Sequence, residues 1–152
     1  MGLEFTDYHV RLAAYALLVD DSDGDEKVLL AWWNGEGHSE PAWSLPGGGI
    51  EFDESLRDGL VREMFEETGY HVTPGPLLVD DFFTGTGRTF DGPFRSQRFV
   101  FDATITGGEL GTTEVDGSTD YAAWVPLAEL EGQPRAGIVD IALAARAGRQ
   151  VR

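Results

Sequence analysis

The sequence predicts an α/β domain in which helices pack on a mixed β-sheet. Three observations carry that prediction. β-Rich runs alternate with two helical segments along the chain. No internal repeat, low-complexity tract or long linker divides it. A chain of 152 residues, 41% of them hydrophobic, suits a single domain over residues 1–152 with one buried core.

The elements follow in order. His9 to Val19 is a β-rich run and reads as a central strand. Asp20 to Glu26 (DDSDGDE) is an acidic turn with glycine at its centre, and Lys27 to Trp33 (KVLLAWW) returns, so the two strands are expected to form a hairpin. Asn34 to Pro41 is a loop, and Ala42 to Leu45 is a short extended piece before the glycine run Gly47 to Gly49. Asp53 is the expected N-cap of a helix that runs to about Thr68, with Glu54 in its first turn and Gly69 as the left-handed residue that ends it. Further strands are expected at Leu77 to Phe83, Gln97 to Ile105 and Tyr121 to Val125, with a loop from Gly85 to Pro93. Ile138 to Ala147 is an apolar, alanine-rich helix.

Composition narrows the function. Asp and Glu total 27 against 11 Lys plus Arg, for a net charge of −16. Such a chain repels duplex nucleic acid and anionic membranes, which are bound mainly through Lys and Arg. If the substrate carries phosphate, a divalent metal and a few local arginines must offset that repulsion. The absence of cysteine excludes disulfides, thiolate catalysis and cysteine-based zinc sites. A reducing cytosol is the simplest setting, so a cytoplasmic location is expected. Met1 opens directly on GLEFTDYHV without the pattern of a signal peptide, and the run Leu12 to Val19 is too short to cross a bilayer.

The helix from Asp53 to Thr68 raises the chemical question. At about 100° per residue, Leu56, Leu60, Val61, Met64 and Phe65 cover one half of its circumference. Glu63 and Glu66 lie just beyond one edge of that arc, and Glu67 falls within it, half turned toward the core. Burying an unpaired carboxylate costs several kcal/mol or forces it to take up a proton. Gly59, which costs about 1 kcal/mol relative to alanine in a helix interior, leaves space beside the carboxylates. A solvated acidic face with Arg57 and Arg62 as partial ion-pair partners is one reading. Convergence of hard oxygen ligands on Mg²⁺ or Mn²⁺ is the other, and it gives the mutually repelling glutamates a partner.

The spacing supports the second reading. Gly48, five residues, Glu54, seven residues, then Arg62-Glu63-Met64-Phe65-Glu66-Glu67-Thr68-Gly69-Tyr70 resembles the Nudix box of the Nudix hydrolases. Met64 and Tyr70 stand where that family usually has Leu, Ile or Val. The lead-in Trp43 to Gly49 and the later Trp124-Val125-Pro126-Leu127 are similar to family segments as well. The resemblance implies a Nudix-type α/β/α sandwich with a mixed β-sheet. It also implies hydrolysis of the phosphoanhydride bond in a nucleoside diphosphate linked to another moiety, with a divalent metal, usually Mg²⁺. Carried over by position, Glu63, Glu66 and Glu67 would bind metal together with the Gly47 carbonyl. Arg62 would orient the glutamates, and Glu54 would support the loop–helix geometry or bind a further metal through water. The general base is left among Glu63, Glu66 and a distant loop acid. In the loop ahead of the closing strand, Glu114, Asp116 and Asp120 are candidates, although Ser118 stands where the acid is expected, six residues before Trp124.

Arg11, Arg88, Arg95 and Arg98 are candidate phosphate ligands, with Arg11 and Arg98 foremost. Trp32, Trp33, Phe82 and Phe83 are candidates for stacking on a base, and strand alternation sends one of each pair to the core. His38 precedes Trp43 in a loop that could reach a substrate. A ligand-sensing module on the same fold, without catalysis, is the competing function. The first strand and the C-terminal helix suit either the core or the interface of a homodimer.

Overall fold

A computed structural model describes residues 2–86, 91–113 and 115–150. Among the described residues, eight strands form two four-stranded sheets. The first strand, β1 (His9–Leu17), pairs antiparallel with β5 (Gly47–Gly49) and parallel with β7 (Pro93–Gly108). The hairpin partner of β7 is β6 (Tyr70–Thr86), which completes a mixed sheet in the order β5-β1-β7-β6. The second sheet holds β2 (Val19–Asp20), β3 (Lys27–Trp33), β4 (Ala42–Ser44) and β8 (Thr119–Pro126), all antiparallel.

The expected hairpin between the first two long strands is therefore confined to its tip. Val19 pairs Val28, Asp20 pairs Lys27, and the chain changes sheet at Leu18. A strand has two hydrogen-bonding edges. Both edges of β1 are taken, by β5 and β7, and those of β3 by β8 along one side and by β2 and β4 along the other, so the two cannot pair along their length. The turn between them is closed by Ser22 and Asp25 N–H groups donating to Asp20 and Asp23, and by an ion pair of Lys27 with Asp23.

Alternation along β1 and β3 separates two apolar layers. Ala14, Ala16, Leu18 and Leu29 pack with Leu60 and Met64 of helix α1 (Leu56–Thr68). Leu17, Val28 and Leu30 pack with Ile138, Val139 and Ala142 of helix α3 (Gly137–Gln150). A four-residue helix, α2 (Leu127–Leu130), contributes Leu130 to the second layer. The strands are thus sandwiched between α1 and α3, as an α/β/α arrangement requires.

The cap of α1 is Ser55 rather than Asp53. The Ser55 hydroxyl accepts from Asp58 N–H at 3.0 Å, and Asp53 lies in the preceding turn. Both residue types cap well, so the identity of the cap is set by where the Glu51–Glu54 turn ends. Gly69 closes the helix in the left-handed region with φ of 80°, as expected, and donates to Phe65 carbonyl at 2.9 Å. Phe65 departs from the apolar half of the wheel. It is exposed and stacks on His71 with ring centroids 4.7 Å apart. The strand β6 runs through Pro74 and Pro76, where sequence signals favour a break. It tolerates them because it is an edge strand whose register shifts there.

Candidate active site

Beside β5, α1 and the sheet face of β1 and β7 enclose a cleft of about 590 Å³. Its floor is the glycine ribbon Gly47 to Gly49. Glu63 and Glu67 reach it from α1, Arg11 and Tyr15 from β1, Ser96 and Arg98 from β7, and Ser118 and Thr119 from the entry to β8. Trp33 and Phe83 also line it.

Helix geometry places the glutamates. Glu67, on the inner side of α1, is only 6% exposed. Its Oε2 accepts from the Gly47 N–H at 3.0 Å and its Oε1 from the Thr119 hydroxyl at 2.8 Å. Two hydrogen bonds from different elements stabilise an inward carboxylate that the wheel alone leaves costly. Glu63 lies against Gly48: a Cβ there would stand 2.7 Å from its carboxyl carbon. Glu66 does not line the cleft; it turns to Arg62 at 3.3 Å.

Arg62 is the hub of the outer side. Its guanidinium donates to Glu54 at 2.5 Å and 3.1 Å, to Glu63 at 3.1 Å, and to the Gly49 carbonyl at 3.1 Å. Glu54 also accepts from the Glu51 N–H at 2.9 Å, so it ties the loop to the helix. Gly59 makes this possible, because a Cβ there would meet Ile50 at 2.5 Å and Glu54 at 2.8 Å. The space it leaves is thus used by Glu54 rather than by the later glutamates. The hydrogen bonds from Arg62, then from the Glu51 N–H, hold the Glu54 carboxyl below the usual carboxylate range. The Glu54 carboxylate in turn raises the Arg62 guanidinium above its ordinary value.

That depression has a sign. A carboxyl whose pKa falls on folding lends stability above its unfolded value and loses it as pH drops through its folded value. Glu54→Gln should therefore melt below the parent at neutral pH, and the gap should close on acidification below the ordinary carboxylate range. Thermal melts of both proteins across pH check this.

The end of α1 is fixed by a distant segment. Gly111 and Thr113 N–H groups donate to the carbonyls of Thr68 and Glu66 at 2.8 Å and 2.9 Å, and the Thr112 hydroxyl donates to Glu67 carbonyl at 2.9 Å. The orphan carbonyls of the last turn are thereby satisfied, and the turn carrying Glu66 and Glu67 is held in place. Neither this clamp nor Thr119 was foreseen from sequence.

The other candidates separate. Arg98 lines the cleft, forms an ion pair with Asp81, lies 5.0 Å from the Phe83 ring centroid, and keeps its Nε buried without a hydrogen-bond partner among the described residues. Arg95 turns to the opposite face, against Gln97 and over Phe82. Trp32 joins Trp43 and Tyr121 in an aromatic cluster, so Trp33 and Phe83 are the members of each pair at the cleft. Asp120 accepts from Asn34, Asp116 adopts φ of 58° in the loop, and neither lines the cleft. His38 does not line it either. Glu114 and Arg88 lie outside the described residues.

The chain has known relatives. In humans it is similar to a protein named 8-oxo-dGDP phosphatase NUDT18, with 36% identity over 117 residues, which is 76% of this chain and 32% of that protein. In Escherichia coli K12 it is similar to CTP pyrophosphohydrolase, with 43% identity over 64 residues, 42% of this chain and 47% of that protein. It spans about a third to a half of the length of these relatives. The solution structure of the E. coli ORF135 protein superposes with a TM-score of 0.73 at 22% identity, covering 97% of this chain and 95% of that one, a likeness of fold. A model of the NUDIX domain matches residues 9–143, and the chain belongs to that family.

Proposed function

We propose that the chain hydrolyses a phosphoanhydride bond in a nucleoside diphosphate linked to another moiety, with a divalent cation, Mg²⁺ or Mn²⁺, as cofactor. One observation carries the reading: Glu63 and Glu67 meet two arginines and a side-chain-free glycine ribbon in a single cleft. The donor set fits a hard cation, because the carboxylates of Glu63 and Glu67 line one cleft and the Glu63 carboxylate lies beside Gly48, where the lack of a Cβ leaves it room. Those two glutamates and the Gly47 carbonyl would hold it, with Glu66 behind them. The chemistry such a cation supplies is neutralisation of charge on the diphosphate and acidification of water.

The chain's own groups do the rest. Gly47 and Thr119 fix the orientation of Glu67. Arg62 holds Glu63, Glu66 and Glu54 in register without entering the cleft. Glu63 is the proposed acceptor of the attacking water's proton: of the cleft carboxylates Glu36, Glu63 and Glu67, Glu67 has both oxygens engaged by Gly47 and Thr119, Glu63 is the other one carried by α1, and Glu66, Asp116 and Asp120 do not line the cleft. Phe83 and Trp33, which line the cleft, are the proposed stacking partners of a base. The relatives' names, 8-oxo-dGDP phosphatase and CTP pyrophosphohydrolase, favour nucleotides as the substrate class. A cytoplasmic location and a homodimer belong to the same reading; no described helix is long and apolar enough to cross a membrane.

One observation favours a second reading, a ligand-sensing module without turnover. Among the described residues, no three acidic or histidine side chains converge as a metal-binding group. A panel of nucleotide sugars, dinucleoside polyphosphates, ADP-ribose, NADH, CTP and oxidised nucleoside di- and triphosphates, each with Mg²⁺ and Mn²⁺, separates the two. Turnover of any member supports the hydrolase. Binding without turnover supports the sensor, and neither binding nor turnover overturns both.

A further inference from the structure

The two cleft arginines, grouped together by sequence, are not equivalent. Arg98 is committed to Asp81. Every other described Lys or Arg except Arg11 is likewise engaged: Lys27 by Asp23, Arg57 by the Pro74 and Gly75 carbonyls, Arg62 by its glutamates, Arg95 by Gln97, Arg135 by Asp140, Arg146 by Glu26 and Arg149 by Asp102. Among the described Lys and Arg side chains, that of Arg11 alone makes no hydrogen bond or ion pair, in a chain whose net charge is −16. With 27 carboxylates against 11 cations, an exposed arginine is expected to find an acidic neighbour.

Its position explains why it does not. Arg11 lies on the face of the glycine ribbon opposite Glu63: a Cβ on Gly49 would come 3.5 Å from its Nη2, whereas one on Gly48 would come 2.7 Å from the Glu63 carboxyl carbon. A wall one backbone thick therefore separates an uncommitted guanidinium from the acidic pair, and both border the same cleft. A ligand that spans both ends carries one anionic group for Arg11 and, toward the glutamates, a second whose charge a divalent cation held by Glu63 and Glu67 would neutralise, as in the proposed hydrolase reading.

We propose that Arg11 is the anion-binding residue of the cleft, and that its guanidinium takes a phosphate oxygen of a di- or polyphosphate whose neighbouring phosphate lies toward Glu63 and Glu67. This rests on the proposed hydrolase reading for the identity of the ligand, and on the geometry alone for the role of Arg11. Guanidinium–phosphate contacts are charge-assisted and geometrically selective.

The test is calorimetric titration of the full chain with methylenediphosphonate, a non-hydrolysable diphosphate, in the presence of Mg²⁺. Arg11→Ala should weaken binding roughly 10- to 100-fold with an unchanged melting temperature, because the Arg11 side chain makes no described bond. Arg11→Lys should recover part of the loss, and Arg146→Ala should bind like the parent. Parent-like binding by Arg11→Ala, equal weakening by Arg146→Ala, or no binding by the parent overturns the proposal. The two readings fail separately. A parent that binds the probe through Arg11 yet turns over nothing in the nucleotide panel retains this inference and loses the hydrolase. A parent that turns over a nucleotide with KM unmoved by Arg11→Ala retains the hydrolase and loses this inference.

Discussion

Glu67→Gln should keep the fold and lose turnover, by roughly 100-fold or more at saturating Mg²⁺. The two halves of that expectation have separate origins. Glutamine is isosteric with glutamate. Its carbonyl oxygen accepts from Gly47 N–H as Oε2 does, and its NH₂ donates to Thr119, whose hydroxyl rotates to accept. Both buried hydrogen bonds survive, so the loss of stability should stay within about 1 kcal/mol. What disappears is the negative charge at a buried position on the cleft wall. A cation would then lack one anionic ligand, and the diphosphate would lose part of its counter-charge. Denaturant melts alongside initial rates on whichever panel substrate turns over check both halves. Near-parental turnover sinks the metal role of Glu67, and a large drop in stability places the residue among the structural supports instead.

The spacing of the glutamates was readable because a single helix carries all three. Angular position on a wheel needs no tertiary information, so the inward turn of Glu67 and the closing role of Gly69 follow from sequence. The partners of Glu67 do not. Gly47 and Thr119 lie 20 and 52 residues away in sequence, and no local pattern announces a pairing over that range. The division of strands between two sheets was hidden for the same reason. A run such as Leu12 to Val19 is apolar on both faces whichever neighbours it takes. The cap at Ser55 was missed because Asp53 and Ser55 are equally good cap formers two positions apart. Arginine presents a different limit. Sequence puts Arg11 and Arg98 forward together as candidate phosphate ligands, and only the fold shows that Asp81 occupies one and no described side chain occupies the other.

Gly47→Ala should destabilise the protein by about 3 kcal/mol or more, whereas Gly48→Ala should leave stability nearly intact and lower activity. The glycines are adjacent on β5, yet what surrounds them differs. Gly47 has φ of 138°, a region L side chains rarely enter, and its added Cβ would lie 2.2 Å from the Ala14 carbonyl oxygen and 2.7 Å from the Tyr15 Cα. Those atoms are backbone of the central strand β1, and Tyr15 is the register partner of Gly47. Relief requires breaking the β1–β5 pairing, which also removes the N–H that holds Glu67. At Gly48 the nearest atoms within 2.9 Å all belong to the Glu63 carboxylate, the far end of a flexible side chain. That group moves aside at little cost to the fold, and it is the group proposed to take the proton. Denaturant melts and rates on the two variants separate the outcomes. A stable Gly47→Ala contradicts the close approach of β5 to β1, and a fully active Gly48→Ala removes Glu63 from the reaction.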